Sequence, residues 1–158
     1  MTQRVELATV RDRLAVDALV TEYAVALDDG DWEGFRGLFA PGGRADHRSA
    51  GGIEGSPGEV ADWLAGSLTA FPVRQHLIVN RSVRFGVREL DTGDTADVRA
   101  DYLSPRGGGG RDGRGAAPDV VCGGRYAFSA VRTEEGWRLS EVVVRELWRR
   151  LPDRGLPM

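Results

Sequence analysis

A histidine at the start of an apolar stretch is the first residue of this chain that could do chemistry. The chain has 158 residues and two histidines, one of which, His76, opens the alternating segment QHLIVN. Such a histidine is either a core residue with satisfied hydrogen bonds or a group that transfers protons, because imidazole titrates near neutral pH. A strand histidine entering a pocket wall needs a polar partner. We therefore favour proton transfer and expect an acid beside it.

A second candidate lies in the segment ADVRADY. Arg99 and Asp101 are two residues apart, and strand side chains alternate, so both should project from the same face of one strand. The pair is either part of a site or a cross-strand ion pair on the outer face of a sheet. The spacing alone is compatible with both interpretations.

Two helices are predicted before any strand. Apolar residues recur at three- and four-residue spacing from Asp12 to Leu27, which is typical of an amphipathic helix. The DDGD segment supplies a helix stop at Gly30 and an N-cap at Asp31. A short second helix is expected to follow, with Trp32 and Phe35 on its apolar side.

A third helix is predicted after a short strand. Ser56 is a suitable N-cap, Pro57 occupies the first helical position, and Glu59 completes a capping box. The segment RADHRS before it resembles a short strand, in which neighbouring side chains face opposite sides. We expect Asp46 to face inward and His47 outward.

The remainder of the chain alternates long strands with polar connections. The predicted strands are Gln75–Phe85, Thr95–Ser104, Val120–Arg132 and Trp137–Arg149. The glycine-rich segment 106–118 is predicted to be a flexible loop, either a lid or a hairpin tip, and residues 151–158 a tail. Helices followed by a long antiparallel sheet indicate one α+β domain, residues 1–158, shaped as a cone-like α+β barrel around a pocket.

Composition argues against several classes of function. The net charge is -3 and the arginines are scattered, so no basic stripe indicates nucleic acid. No apolar run approaches the roughly 20 residues that cross a bilayer, and no signal peptide is evident, so we expect a cytoplasmic protein without membrane contact. The absence of lysine excludes Schiff-base chemistry. The single cysteine, Cys122, is expected in the core, and no motif predicts a metal or another cofactor.

Several segments together resemble a known family. YAVALDDGDWEGFRGLFAPGGRAD, GGIEG, QHLIVN and GDTADVRADY occur in that order and are similar to the SnoaL-like branch of the nuclear transport factor 2-like superfamily. That superfamily includes ketosteroid isomerases, scytalone dehydratases, polyketide cyclases and limonene-epoxide hydrolase. The resemblance covers nearly the whole chain and implies the cone-shaped fold and a homodimer formed through the outer face of the sheet. It does not determine the reaction.

The resemblance to the dehydratases implies a site made of Tyr23, Asp28 and His76. In this arrangement His76 transfers the proton, Asp28 orients its imidazole, and Tyr23 donates a hydrogen bond to a carbonyl that gains negative charge. Tyr23 could equally be a core tyrosine and Asp28 part of an acidic turn. Their spacing places them roughly 140° apart on an ideal helix, so only unwinding would bring them together.

The resemblance to limonene-epoxide hydrolase implies a different site. There Arg99 and Asp101 act with a second acid, for which this chain offers Glu146, although that pattern has aspartate at this position. One carboxylate would activate water while the other protonates an epoxide oxygen.

The expected function is cofactor-free acid-base catalysis on a small, largely apolar molecule. Dehydration, isomerisation or cyclisation of a polyketide- or steroid-like substrate, as in secondary metabolism, would suit the first site, and epoxide opening the second. A protein that only binds a small ligand is the remaining alternative. Asn80, Trp63 and Tyr102 are expected to contact the substrate, along with Asp46 and Glu146.

Overall fold

The helices and strands follow the predicted order. The computed structural model describes residues 2–86, 93–108 and 117–152, with side chains from residue 7 onward. The helices are α1 (Thr2–Asp29), α2 (Trp32–Gly37) and α3 (Pro57–Leu68). The strands are β1 (Phe39–Asp46), β2 (Glu54–Gly55), β3 (Val73–Arg74), β4 (Leu77–Phe85), β5 (Thr95–Gly107), β6 (Val120–Thr133) and β7 (Gly136–Arg150). The predicted lid or hairpin tip falls largely on residues 109–116, outside the described residues, as do tail residues 153–158.

Two helix boundaries lie where local sequence signals predicted them, after α1 and before α3, whereas α1 begins at Thr2 rather than near Asp12. Gly30, with φ +67°, follows α1, and the Asp31 side chain accepts a hydrogen bond from Gly34 N to cap α2. At the start of α3, Ser56 Oγ accepts from Glu59 N at 3.3 Å, while the Glu59 carboxylate accepts from Ser56 N at 2.8 Å. This reciprocal capping box confirms the predicted start of the third helix.

The four long strands pair antiparallel, as predicted, and the pairing of β1 with β7 makes the sheet mixed. Its order is β2-β1-β7-β6-β5-β3, and β4 also pairs with β5. Strand β1 runs parallel to β7, whereas the other pairs are antiparallel. The sequence between Phe39 and Asp46 forms one irregular strand across the Pro-Gly-Gly segment that was expected to separate two elements. The parallel pairing is a contact between residues about 100 apart, which local patterns do not reveal.

The helices cover the concave side of this strongly curled sheet. Irregular pairing at Gly123/Gly124 and Ser129/Ala130 bends β6 against β7. Tyr23 of α1 packs edge-on against Phe128 of β6, with ring centroids 5.3 Å apart. Cys122 is buried, as predicted. No helix in the described part of the chain is long and apolar enough to cross a membrane.

One arginine ties the end of α1 to the connection between β3 and β4. Arg74 Nε donates to Leu27 O at 3.0 Å, and its Nη1 donates to Phe71 O at 3.1 Å. The guanidinium thus satisfies carbonyl groups left free near the C-terminal ends of α1 and α3. It holds Asp28, the next residue of α1, close to His76, which lies two residues beyond Arg74.

Candidate functional site

His76 and Asp28 form a hydrogen-bonded pair. His76 Nδ1 lies 2.7 Å from Asp28 Oδ1, and the backbone N–H of His76 donates to Asp28 Oδ2 at 3.0 Å. The imidazole is nearly buried, with 5% of its side chain exposed, and 24% of the Asp28 side chain is exposed. Because both carboxylate oxygens bind the same residue, the plane of the ring is fixed.

The pairing determines which ring nitrogen is available to a ligand. Asp28 accepts from Nδ1–H, which leaves the lone pair of the neutral ring on Nε2. Among the described residues, Nε2 has no hydrogen-bond partner. The carboxylate also stabilises the imidazolium that forms when Nε2 accepts a proton. The arrangement is that of a general base with a fixed orientation.

Tyr23 is bonded to the other histidine of the chain. Its hydroxyl lies 2.7 Å from His47 Nε2, and Tyr23 is fully buried while His47 is 5% exposed. The pKa of His47 is lowered to about 4, mainly by burial, with smaller contributions from His76 and Arg106 that Asp46 opposes. Burial likewise raises the pKa of Tyr23. The tyrosine therefore donates its hydroxyl hydrogen to a neutral imidazole.

The expectation that Asp46 faces inward and His47 outward is wrong. Asp46 Oδ1 accepts from the backbone N–H and the guanidinium of Arg48 at 3.0 Å each, and this side-chain hydrogen bond lowers the pKa of Asp46 to about 2. A carboxylate that bonds the N–H two residues later forms an Asx turn, which turns Asp46 towards the surface. The Asp-His-Arg sequence was the signal that could have revealed this.

The pair of His76 and Asp28 lies close enough to the buried groups around Tyr23 to affect their pKa values. His76 contributes to the lowered pKa of His47, and Asp28 adds to the rise in the pKa of Tyr126, which is caused mainly by burial. Tyr126 also packs against Tyr23, with ring centroids 5.6 Å apart. Helix α1 is not unwound between Tyr23 and Asp28, so the two residues do not meet, and each has a histidine of its own as partner. Neither His47 nor Tyr126 was identified from the sequence.

Aromatic rings surround these polar groups. Tyr102 packs against Tyr126 with centroids 4.8 Å apart, and Trp63 lies 6.4 Å from His47, in line with the lining positions predicted for Tyr102 and Trp63. Burial raises the pKa of Tyr102 to about 12, so its phenol remains a hydrogen-bond donor at neutral pH. We refer to the part of the core lined by Tyr23, Trp63, Tyr102, Tyr126 and Phe128, on the concave side of the sheet, as the aromatic chamber.

Asn80 does not point into the chamber. Strand parity predicted that it would share the face of His76 and Ile78, but the β4–β5 register shifts between Val79 and Ser82. Asn80 has φ +52° at this irregularity and donates from Nδ2 to Asp101 Oδ2 at 3.0 Å on the exposed side. One extra residue in the strand reversed the parity.

The three residues of the epoxide-opening site are not brought together. Arg99 and Asp101 occupy the outward positions of β5, where Arg125 Nε donates to Asp101 Oδ1 at 3.1 Å. Glu146 lies on the other side of the sheet, opposite Gly124 and close enough to Tyr102 to raise its pKa. Glu146 is engaged by Arg149 through two hydrogen bonds of 2.8 Å. Asp101 is therefore part of a cross-strand ion pair on the outer face of the sheet, which was one of the two interpretations of its spacing from Arg99.

The donor groups of the chamber do not form a metal-binding cluster. Within residues 2–86, 93–108 and 117–152, no group of three or more His, Cys, Asp or Glu side chains is placed to hold a metal ion. The one carboxylate beside His76 is engaged by that residue alone.

Comparison with known proteins places this geometry in a family. The sequence profile of the SnoaL-like domain matches residues 8–143. The uncharacterized protein Rv2910c of Mycobacterium tuberculosis is 32% identical over 133 residues, covering 84% of each chain.

Two solved structures share the fold at lower sequence identity. Hexachlorocyclohexane dehydrochlorinase LinA-type3 from Novosphingobium barchaimii superposes with a TM-score of 0.70 at 15% identity, covering 97% of each chain. A presumed scytalone dehydratase from Novosphingobium aromaticivorans has a TM-score of 0.65 at 20% identity, covering 99% of this chain and 100% of that one. The two structures confirm the predicted fold, and the profile match over residues 8–143 shows that the chain belongs to the SnoaL-like domain family.

Proposed function

We propose that the protein is a cofactor-free acid-base enzyme that removes a proton from carbon in a small, largely apolar molecule. The observation that carries the proposal is the 2.7 Å contact between His76 and Asp28 beside the aromatic chamber. A carrier that only bound ligands would have no use for a carboxylate that prepares an imidazole nitrogen for proton transfer. A proton next to a carbonyl is the natural target, because the resulting negative charge spreads onto oxygen.

Elimination, isomerisation and cyclisation all begin with this step. The names of the two fold relatives refer to eliminations, a dehydrochlorinase and a presumed dehydratase, and we propose dehydration as the first reaction to test. His76 Nε2 takes the proton, the C–H electrons form the double bond, and the hydroxyl leaves as water after receiving a proton. Tyr102 and Tyr126 are protonated phenols that can donate hydrogen bonds to the developing oxyanion, whereas the Tyr23 hydroxyl is already bonded to His47.

Exchange of carbon-bound protons in D₂O tests the proposal even when the final product is not identified. A panel of cyclic ketones and β-hydroxy ketones would be followed by NMR for loss of the proton next to the carbonyl. We expect catalysed exchange for at least one compound, and about 100-fold slower exchange in Asp28→Asn, because the amide cannot stabilise the imidazolium.

Asp62→Asn is the matched control for this substitution. Asp62 is a surface carboxylate, 79% exposed, that pairs with Arg36 at 3.0 Å. We expect exchange at the wild-type rate in this variant. Equal rates in the two asparagine variants would refute the role of Asp28, and ligands that bind without any exchange would favour a carrier.

We also propose that the protein forms a homodimer through the outer face of the sheet. A groove of about 620 Å³ lies on this face, and Asp97 and Arg125 are among the residues that line it. Leu103 is 43% exposed on the same side of β5. Charges of both signs beside an exposed apolar side chain suit a surface that binds a second copy of itself.

Sedimentation equilibrium tests the dimer. We expect a mass of twice the 17.1 kDa chain at micromolar concentration, and the single-chain mass for Leu103→Glu, since a buried unpaired carboxylate opposes association. Leu14→Glu, at a 66% exposed position of α1, should remain dimeric. A wild-type protein that sediments as a single chain would exclude this interface.

A further inference from the structure

Arg106 is placed on the inner side of β5. The strand buries Tyr102 and Ser104, and Arg106 continues the same alternation towards its end. Its Nε donates to Ser104 Oγ at 3.0 Å, and its guanidinium carbon lies 5.9 Å from the centre of the Phe71 ring. The hydroxyl of Ser104, which is fully buried, and the face of Phe71 therefore define the direction in which the guanidinium points.

Arg106 differs from three other arginines that pack against the core, each of which is paired with a carboxylate. Arg81 pairs with Asp17 at 3.1 Å, Arg132 with Asp12 at 2.7 Å, and Arg149 with Glu146 at 2.8 Å. Among the described residues, no carboxylate lies within ion-pair distance of Arg106. A guanidinium offers five N–H donors in a planar fork, and most of those of Arg106 are left for a ligand.

The strand register places Arg106 next to the proposed base. Arg74 is paired with Arg106 and Leu77 with Leu103, and Gln75 N donates to Pro105 O. His76 therefore lies opposite Ser104, and Arg106 is two residues further along β5 on the same face. Diagonal neighbours in a sheet are about 7–8 Å apart at Cα, within reach of long side chains, so one small molecule can contact both.

The charge of Arg106 affects the pKa values of residues on other elements that line the chamber. Burial is the main cause that lowers the pKa of His47, and the charges of His76 and Arg106 add to it. Burial raises the pKa of Tyr126, and Arg106 opposes this rise. A group that affects residues of both β6 and the segment after β1 faces the space between them.

We propose that Arg106 binds the carboxylate of an anionic substrate, an aromatic or alicyclic acid whose ring occupies the aromatic chamber. The carboxylate accepts two parallel N–H bonds from the guanidinium, and the ring is held with a carbon at His76 Nε2. The inference rests on the proposed function for the chemistry at His76, whereas recognition of the acid depends on Arg106 alone. It narrows the substrate from a neutral apolar molecule to an organic acid.

Pairs of acids and amides of the same shape test the proposal. The probes are benzoate and benzamide, 2-naphthoate and 2-naphthamide, and cyclohexanecarboxylate and its amide, titrated calorimetrically at pH 7.5 and constant ionic strength. We expect the acid of at least one pair to bind about tenfold more tightly than its amide, as a charged hydrogen-bonded pair does. Arg106→Gln should abolish the preference and Arg106→Lys should retain part of it.

Arg36→Gln is the matched control, because it removes one positive charge from a surface position with a 45% exposed side chain. It should bind like the wild type, and thermal unfolding of each variant verifies folding. Absence of an acid preference in every pair, or its persistence in Arg106→Gln, would overturn the proposal.

His76→Ala separates the two proposals: it should lose proton exchange and keep the acid preference. If the wild type exchanged the protons of neutral ketones but bound no acid more tightly than its amide, the proposed enzyme activity would stand and Arg106 would have no role in substrate binding.

Discussion

Replacing His76 by alanine is expected to slow proton exchange from carbon by about 1,000-fold. A positioned general base contributes about 10²–10⁴ in rate, and Nε2 of His76 is the ring atom left for a ligand by the contact with Asp28. The loss should appear in kcat more than in KM, because the base acts in the transition state. The measurement is the α-proton exchange rate by NMR under saturating ketone.

Added imidazole separates chemistry from structure in this variant. Alanine at position 76 leaves a space beside the carboxylate of Asp28, where a free imidazole can bind and accept the proton. We expect exchange by His76→Ala to rise with imidazole concentration, while the wild type shows no such dependence. A variant that keeps the wild-type rate would show that the pair with Asp28 serves the fold rather than the reaction.

The stability of the protein is expected to fall by about 3 kcal/mol more in the wild type than in His47→Gln when the pH is lowered from 7 to 4. The pKa of His47 is about 4 in the folded chain because of burial, against 6.5 for an ordinary histidine. Between these values the unfolded chain binds a proton that the folded chain does not, so the free energy of unfolding decreases as the pH falls. Chemical denaturation at several pH values measures the difference.

Other titrating groups are common to both proteins and cancel in this comparison. Tyr23→Phe removes the hydrogen bond to His47 Nε2 and leaves the imidazole buried, so its stability should still decrease through the same pH window. If the wild type and His47→Gln lost stability in parallel, His47 would not be held neutral by the fold.

The two histidines thus have opposite roles in this structure. His76 is hydrogen-bonded to a carboxylate, whereas His47 is buried against a phenol and kept neutral because burial lowers its pKa. Environments of this kind assign proton transfer to one residue and hydrogen bonding to the other. The aromatic chamber therefore contains one base and several protonated donors.

Local sequence signals determined the elements of this protein. Helix ends at Gly30 and Ser56, the order of helices and strands, and the buried position of Cys122 followed from nearest neighbours and periodicity. The pairing of His76 with Asp28 was also expected: a strand histidine entering a pocket wall needs a polar partner, and the resemblance to the dehydratases implied that this partner is Asp28. These features depend on short stretches of chain and on general solvation costs.

Only the tertiary structure decided which face each polar side chain occupies and with which residue it pairs. The irregularity after Val79 turned Asn80 outward, the turn at Asp46 buried His47 beside Tyr23, and the register of β3 and β4 on β5 placed Arg106 near His76. Strand parity changes with every inserted residue, and pairing joins segments that are distant in the chain. Some candidate residues, such as His76 and Asp28, could be named from the sequence, whereas His47, Tyr126 and Arg106 were brought beside them by contacts that form only when the sheet curls around the helices.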